Sequence, residues 1–140
     1  RYRRRLSGPL VDRIDLVVAV ADVPWAVLNG PIDGPTSEVV RDRVARARTI
    51  QHARGLLHNS PVNSPVNATV NAAIPDARLD ELVAAEPEAL RLLGRAVEKL
   101  HLSARVARSL LRVARTIADL GGRATTSTGD IAEALLMRQP

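Results

Sequence analysis

One run, Ile14-Asp15-Leu16-Val17-Val18-Ala19-Val20, sets the tightest limit on what this chain can fold into. Alternation puts Ile14, Leu16, Val18 and Val20 on one side and Val17 and Ala19 on the other. Both sides are mostly apolar, the pattern of a buried strand in an α/β sheet. Asp22-Val23-Pro24 ends the run, and the breaker-rich segment from Asn29 to Pro35 follows. No second run of this kind occurs in the 140 residues. A lone buried-type strand needs backbone partners, so the expectation is a strand left over from an α/β core that lies elsewhere in a longer protein.

The rest reads as helices. Thr36 or Ser37 starts a long one, with Val40, Val44, Ala47 and Ile50 on one face and Gly55 as its stop. Asn59 to Asn67 repeats Asn-Ser-Pro-Val and is punctuated too often for a helix, which predicts a surface loop over 58–75. Asp76 is a cap for a short helix over 77–84, and Pro87 opens another over 87–100 with Leu90, Leu93, Val97 and Leu100 inward. Ser103 caps the most regular helix, 104–120, with Val106, Leu110, Val113, Ile117 and Leu120 on one side. Gly121-Gly122 ends it, and Ser127 or Thr128 begins the last helix, with Ile131, Leu135 and Leu136 inward. With one Trp, one Tyr and no Phe, the core must be Leu, Val, Ile and Ala. The expected fold is mainly α, a helical bundle preceded by one strand.

Charge narrows the function. The net charge is +5, carried almost wholly by Arg, which invites a nucleic-acid partner. Lys is nearly absent, so a compositional preference for Arg accounts for the charge equally well. Arg3, Arg4 and Arg5 sit in a basic N-terminal tail, and Arg41, Arg43, Arg46, Arg48 and Arg54 scatter around their helix rather than forming a stripe. On helix 104–120, Arg105, Arg108, Arg112 and Arg115 recur on the arc opposite the apolar one, which reads as a solvated face. The chain has no Cys, and His52, His58 and His101 have no ligand spacing, so neither disulfides nor a metal site are expected. No apolar run approaches ~18 residues, which leaves a soluble, cytoplasmic protein as the expectation.

Two arginines have positions suited to phosphate. Arg13 stands between a Pro9-led turn and the strand, where both flanking elements fix its backbone. Arg105 lies in the first turn after Ser103, where backbone N–H groups and the helix dipole favour an anion. Either could instead serve the surface, Arg13 by pairing with Asp12 or Asp15. Neither GxxxxGK[ST] nor a Walker B run is present, so the chain by itself is expected not to hydrolyse ATP.

Tyr2-Arg3-Arg4-Arg5-Leu6-Ser7-Gly8-Pro9-Leu10-Val11-Asp12-Arg13-Ile14-Asp15-Leu16 resembles the YRxRxSGPLLDRIDL segment of the magnesium-chelatase-like AAA+ ATPases of the ComM/YifB type. Leu102-Ser103-Ala104-Arg105 with Arg112 to Leu120 is similar to that family's LSARxxxRxLRVARTIADL, and Glu133-Ala134-Leu135 to Arg138 resembles its EALxYR. The blocks come in family order and span nearly the whole chain. The resemblance implies a C-terminal fragment: residues 1–35 as the end of the AAA+ core and 36–140 as the helical lid. It implies that Arg13 is an arginine finger acting in trans, with Asp12 in support. It also implies that Arg105 is the sensor 2 arginine on the ATP phosphates. For the full-length protein it implies ATP and Mg²⁺, a homo-oligomeric ring, expected as a hexamer, and DNA as the partner of a branch-migration or helicase motor. No ligand is expected on the isolated chain. The rivals are an Arg-rich helical module that binds nucleic acid without ATPase work, and a subunit of a magnesium chelatase.

Overall fold

The computed structural model describes residues 8–31, 34–57 and 70–138. The basic tail before Gly8 and the Asn-Ser-Pro-Val repeat over 59–66 lie outside the described residues. The rest is mainly helical. Short α1 (Gly8–Val11) and α2 (Trp25–Leu28) precede α3 (Ser37–Leu57). A 3₁₀ turn (Asn71–Ala73), α4 (Asp76–Val83), α5 (Pro87–Leu100), α6 (Ala104–Leu120) and α7 (Thr128–Leu136) follow.

α6 is the hub, packing against α3, α4, α7 and the 3₁₀ turn, while α5 packs on α7. Leu79 and Val83 of α4, Val106, Leu110 and Leu111 of α6, and Ile131 of α7 meet in the core. Ala89, Ala114 and Ala134 are wholly buried there, and such small side chains let helix backbones approach closely. The core among the described residues is thus aliphatic, as the composition demands; Trp25 lies out on the surface. Each Leu or Ile removed from water contributes about 1.5–3 kcal/mol.

Caps fix the helix ends. Ser103 Oγ accepts from Val106 N–H at 3.3 Å. Ser127 and Asp130 form a capping box at the start of α7. The end of α6 is a Schellman turn: Gly122 N–H reaches Asp119 O at 3.0 Å and Arg123 N–H reaches Ala118 O at 2.9 Å, with Gly122 at φ 68°. α5 ends on His101 at φ 51°, a left-handed residue with a Cβ. The link between α4 and α5 is clasped by Thr126, buried, whose Oγ1 donates to Val83 O at 2.7 Å. Its backbone bridges Ala85 in parallel.

Several expectations change. Residues 14–20 do not form a strand, and among the described residues no ladder exists. Val18 and Val20 are 74% and 86% exposed rather than sandwiched. The reason is pairing: a strand needs a neighbour's N–H and C=O groups, and here Val17 N–H finds only Met137 O, at 2.7 Å. α3 runs through Gly55 to Leu57 instead of stopping there. Only part of its expected face is covered: Ala47 is buried and Ile50 half-buried, whereas Val40 and Val44 are exposed. Asp76 does not cap α4 but lies in its first turn and pairs with Arg112. On α5, Leu93 and Ala89 are buried while Leu90 and Leu100 face outward; on α7, Leu136 does too.

Candidate functional site

The arginines of α6 divide. Arg115 is wholly buried; its guanidinium donates to Asp119 Oδ1 at 2.9 and 3.1 Å and to the carbonyls of Val83 and Ala124 at 3.3 and 2.8 Å. It also bonds Arg123 O. Burial pulls its pKa below the ordinary arginine value, and the Asp119 charge offsets part of that. Asp119 receives Arg54 of α3 and the amide of Asn71, the latter at 2.8 Å. Asn71 also donates to Thr116 Oγ1 at 3.1 Å. Arg112 is half-buried and donates to Ile74 O at 2.8 Å and Asp76 at 2.6 Å; Arg108 meets Asp80 at 2.9 Å. The solvated arc expected from the sequence is therefore a seam. Charged side chains there tie α6 to α3, α4 and the loops, because Arg108, Arg112 and Arg115 each meet a carboxylate or a carbonyl.

Arg105 is the exception. It is exposed, and among the described residues nothing pairs with it. It stands one turn before Ser109 on the same face of α6. That face borders an open groove of about 1320 Å³, lined among others by Asp15, Val44, Arg105, Ile117 and Met137.

The segment around Arg13 lies on the same helix. Ser103 Oγ donates to Asp12 Oδ2 at 2.8 Å, so the residue that caps α6 also holds Asp12. Ser109 Oγ donates to Asp15. Arg138, just past α7, donates to Ile14 O at 2.6 Å and Val11 O at 3.2 Å, and lies 3.9 Å from Asp12 Oδ1. The Arg13 N–H donates to Leu10 O at 3.1 Å. The backbone is gripped before and after Arg13, while its side chain is exposed and has no partner among the described residues. The surface pairing of Arg13 with Asp12 or Asp15 is not formed; Asp12 meets Ser103 and Asp15 meets Ser109 instead.

The structure thus brings the Asp12–Arg13 segment and the Arg105 helix together. Sequence reasoning saw Ser103 only as a cap, and did not see Ser109 or Arg138 as holding residues. A polar Ser109 between Val106 and Leu110 was the available signal.

Residues 34–138 match the family described as magnesium chelatase, subunit ChlI C-terminal. The chain belongs to this family. Competence protein ComM of Haemophilus influenzae is 38% identical over 136 residues, which are 96% of this chain and 24% of that protein. YifB of Escherichia coli is 34% identical over 121 residues, 86% of this chain and 22% of YifB. An uncharacterized protein of Mycobacterium tuberculosis is 33% identical over 139 residues, 99% of this chain and 26% of its own length. This magnesium chelatase C-terminal chain therefore spans about a quarter of the length of the curated relatives it matches. Among its described residues no helix is long and apolar enough to cross a membrane. No group of three or more His, Cys, Asp or Glu among them is arranged to hold a metal.

Proposed function

We propose that this chain is the lid and arginine-finger segment of a ring-forming AAA+ ATPase, with residues 1–35 closing the nucleotide-binding core and 36–140 forming the lid. The observation that supports it is selective: Arg108, Arg112 and Arg115 are spent on ion pairs, while Arg105 and Arg13 are exposed and unpaired among the described residues. A free guanidinium suits the oxygens of a phosphate, and each of the two is open to one. In this reading Arg105 contacts the ATP of its own subunit as sensor 2. Arg13, supported by Asp12, reaches the γ-phosphate of the neighbour's ATP as it breaks away. Residues 14–20 become a strand once core strands are beside them, which fits their apolar pattern on both faces. In this reading the residues of this chain offered to ATP are the two arginines; the phosphate cradle and the Mg²⁺ ligands would come from the rest of the protein. Mg²⁺ supplies charge neutralisation between the phosphates.

For the work done with ATP we place DNA remodelling, such as branch migration during uptake of incoming DNA, ahead of metal insertion. The relative at 38% identity is named a competence protein. Arg41, Arg43 and Arg46 on α3 are exposed, which suits a phosphate backbone. The ring is a homo-oligomer, proposed as a hexamer.

The test is subunit mixing in the full-length protein. Arg13→Ala is expected to lower turnover by ~10³–10⁵-fold. Mixed with subunits disabled in the Walker A lysine, it should regain activity, since some interfaces then join an intact finger to an intact pocket. Arg13→Lys should rescue poorly, because Lys lacks the planar fork. Normal hydrolysis by Arg13→Ala, or no recovery in verified mixed rings, overturns the trans role.

A further inference from the structure

The contacts around Arg13 are more than a tail lying on a helix. Three independent side chains hold its segment, and each holds a different point. Ser103 takes the carboxylate before Arg13 and Ser109 takes the carboxylate two residues after it. Arg138 takes the carbonyls of Val11 and Ile14, which flank Arg13 on both sides. Arg138 reaches them with two different nitrogens, and its side chain is only 12% exposed. The planar guanidinium suits this job because its donors are fixed in one fork. A lysine could satisfy one carbonyl but would not span the turn. Val17 N–H on Met137 O, next to Arg138, extends the grip by one more bond. Amid these contacts the Arg13 side chain itself stays exposed and has no partner among the described residues.

Two of the three holding residues belong to the α6 unit, Ser103 as its N-cap and Ser109 within it, on either side of Arg105 in sequence. A rigid helix cannot move Arg105 without moving Ser103 and Ser109. The helix is rigid here: its middle is buried in the core and its last turn is locked by Arg115 and Asp119.

We propose that Arg138, with Ser103 and Ser109, positions Arg13, so that displacement of Arg105 in one subunit's site is carried through α6 to the finger offered to the next subunit. This rests on the reading of Arg13 as a trans finger. Arg138 is a positioning residue: it touches no nucleotide and acts only through Arg13. The device links neighbouring ATP sites through a single subunit, with the lid helix as the lever.

The experiment uses the full-length ATPase and ATP alone as the probe. Arg138→Ala is expected to lower kcat by ~10–100-fold, the scale of a finger misplaced by about 1 Å, with the KM for ATP and the thermal midpoint nearly unchanged. Arg138→Lys should recover part of that loss. Ser109→Ala leaves the α6 cap intact and removes only the Asp15 bond, so it should lower kcat severalfold without unfolding risk. The decisive variant is the double Arg13→Ala/Arg138→Ala, which should be no slower than Arg13→Ala. A merely structural role for Arg138 predicts losses that multiply, and that result overturns the proposal. So does a normal kcat in both Arg138→Ala and Ser109→Ala while Arg13→Ala is slow. A normal kcat in Arg13→Ala removes the finger reading itself, and the positioning role falls with it.

Discussion

Arg115 Nη2 and Asp119 Oδ1 stand 2.9 Å apart, one helical turn from each other on α6, and neither side chain touches solvent. A buried pair of this kind is costly to break, because the groups it served lose a charged hydrogen-bond partner where water cannot replace it. Arg115→Met would leave Asp119 to Arg54 and Asn71, and would strip the Val83, Arg123 and Ala124 carbonyls of their donor. The expected loss is about 3–5 kcal/mol, a large share of the ~5–15 kcal/mol of a whole domain. Urea unfolding followed by circular dichroism measures it. The Arg91–Glu88 pair on α5 is exposed on both sides, so Arg91→Met should cost under about 1 kcal/mol. Equal losses in the two variants would refute this account of the seam.

Acid should loosen the start of α7. Burial works to raise the Asp130 pKa, but hydrogen bonds from Arg123 and from the Ser127 N–H and O–H outweigh it, so the group titrates below its ordinary value. A folded value below the unfolded one means the unfolded chain binds the proton first as pH falls. The contribution of Asp130 is therefore complete above pH ~4, the ordinary carboxylate value, and is lost as pH drops through the lower folded value. Asp130→Asn should be less stable at neutral pH and show a shallower fall of the urea midpoint below pH ~4. An acid limb identical to that of the unmodified chain would count against it.

How far the sequence carried depends on whether the deciding partner is local. The bounds of α5 and α6 were legible because Pro87 and Ser103 act on their own first turns and Gly121-Gly122 on the turn before. Arg115 was not, since nothing local distinguishes it from Arg108. Its burial comes from Val83, Arg123 and Ala124, brought round by the Thr126 clasp. The strand failed for the same reason in reverse: its pattern calls for neighbouring strands, and the described residues supply none. Gly55 was read as a stop, yet a helix tolerates glycine at about 1 kcal/mol, and α3 continues to Leu57. At the candidate site, the sequence singled out Arg13 and Arg105 as separate positions. Their joining through Ser103, Ser109 and Arg138 was not, because it depends on residues ~90–125 apart in sequence meeting in space.

His101 offers a gain rather than a loss. It ends α5 at φ 51°, ψ 44°, where a Cβ crowds the following carbonyl. Its side chain is exposed, and the cap itself is made by backbone, with Leu102 N–H on Val97 O at 3.0 Å. His101→Gly should relieve the strain and raise stability by about 0.5–1 kcal/mol after the added freedom of the unfolded chain is subtracted. A thermal midpoint that rises by a few degrees is the expected sign; one that falls would place the strain elsewhere.

Arg105 and Arg108 lie one turn apart on α6 and provide the sharpest contrast on the nucleotide reading. Arg108 donates to Asp80 across a largely exposed gap of 2.9 Å. Arg108→Ala should therefore cost under about 1 kcal/mol and leave nucleotide handling unchanged. Arg105 has no partner among the described residues, so Arg105→Ala removes no contact that the folded helical domain depends on. Its stability should stay within about 0.5 kcal/mol of the unmodified protein. If Arg105 meets ATP phosphate in the assembled ring, the same substitution should weaken ATP binding by roughly 1.5–3 kcal/mol, the worth of a charge-assisted hydrogen bond. That corresponds to a ~10–150-fold rise in Kd. Titration of full-length protein with a fluorescent ATP analogue, alongside turnover, separates the two arginines. Equal nucleotide affinity and turnover in Arg105→Ala and the unmodified protein would remove Arg105 from the ATP site.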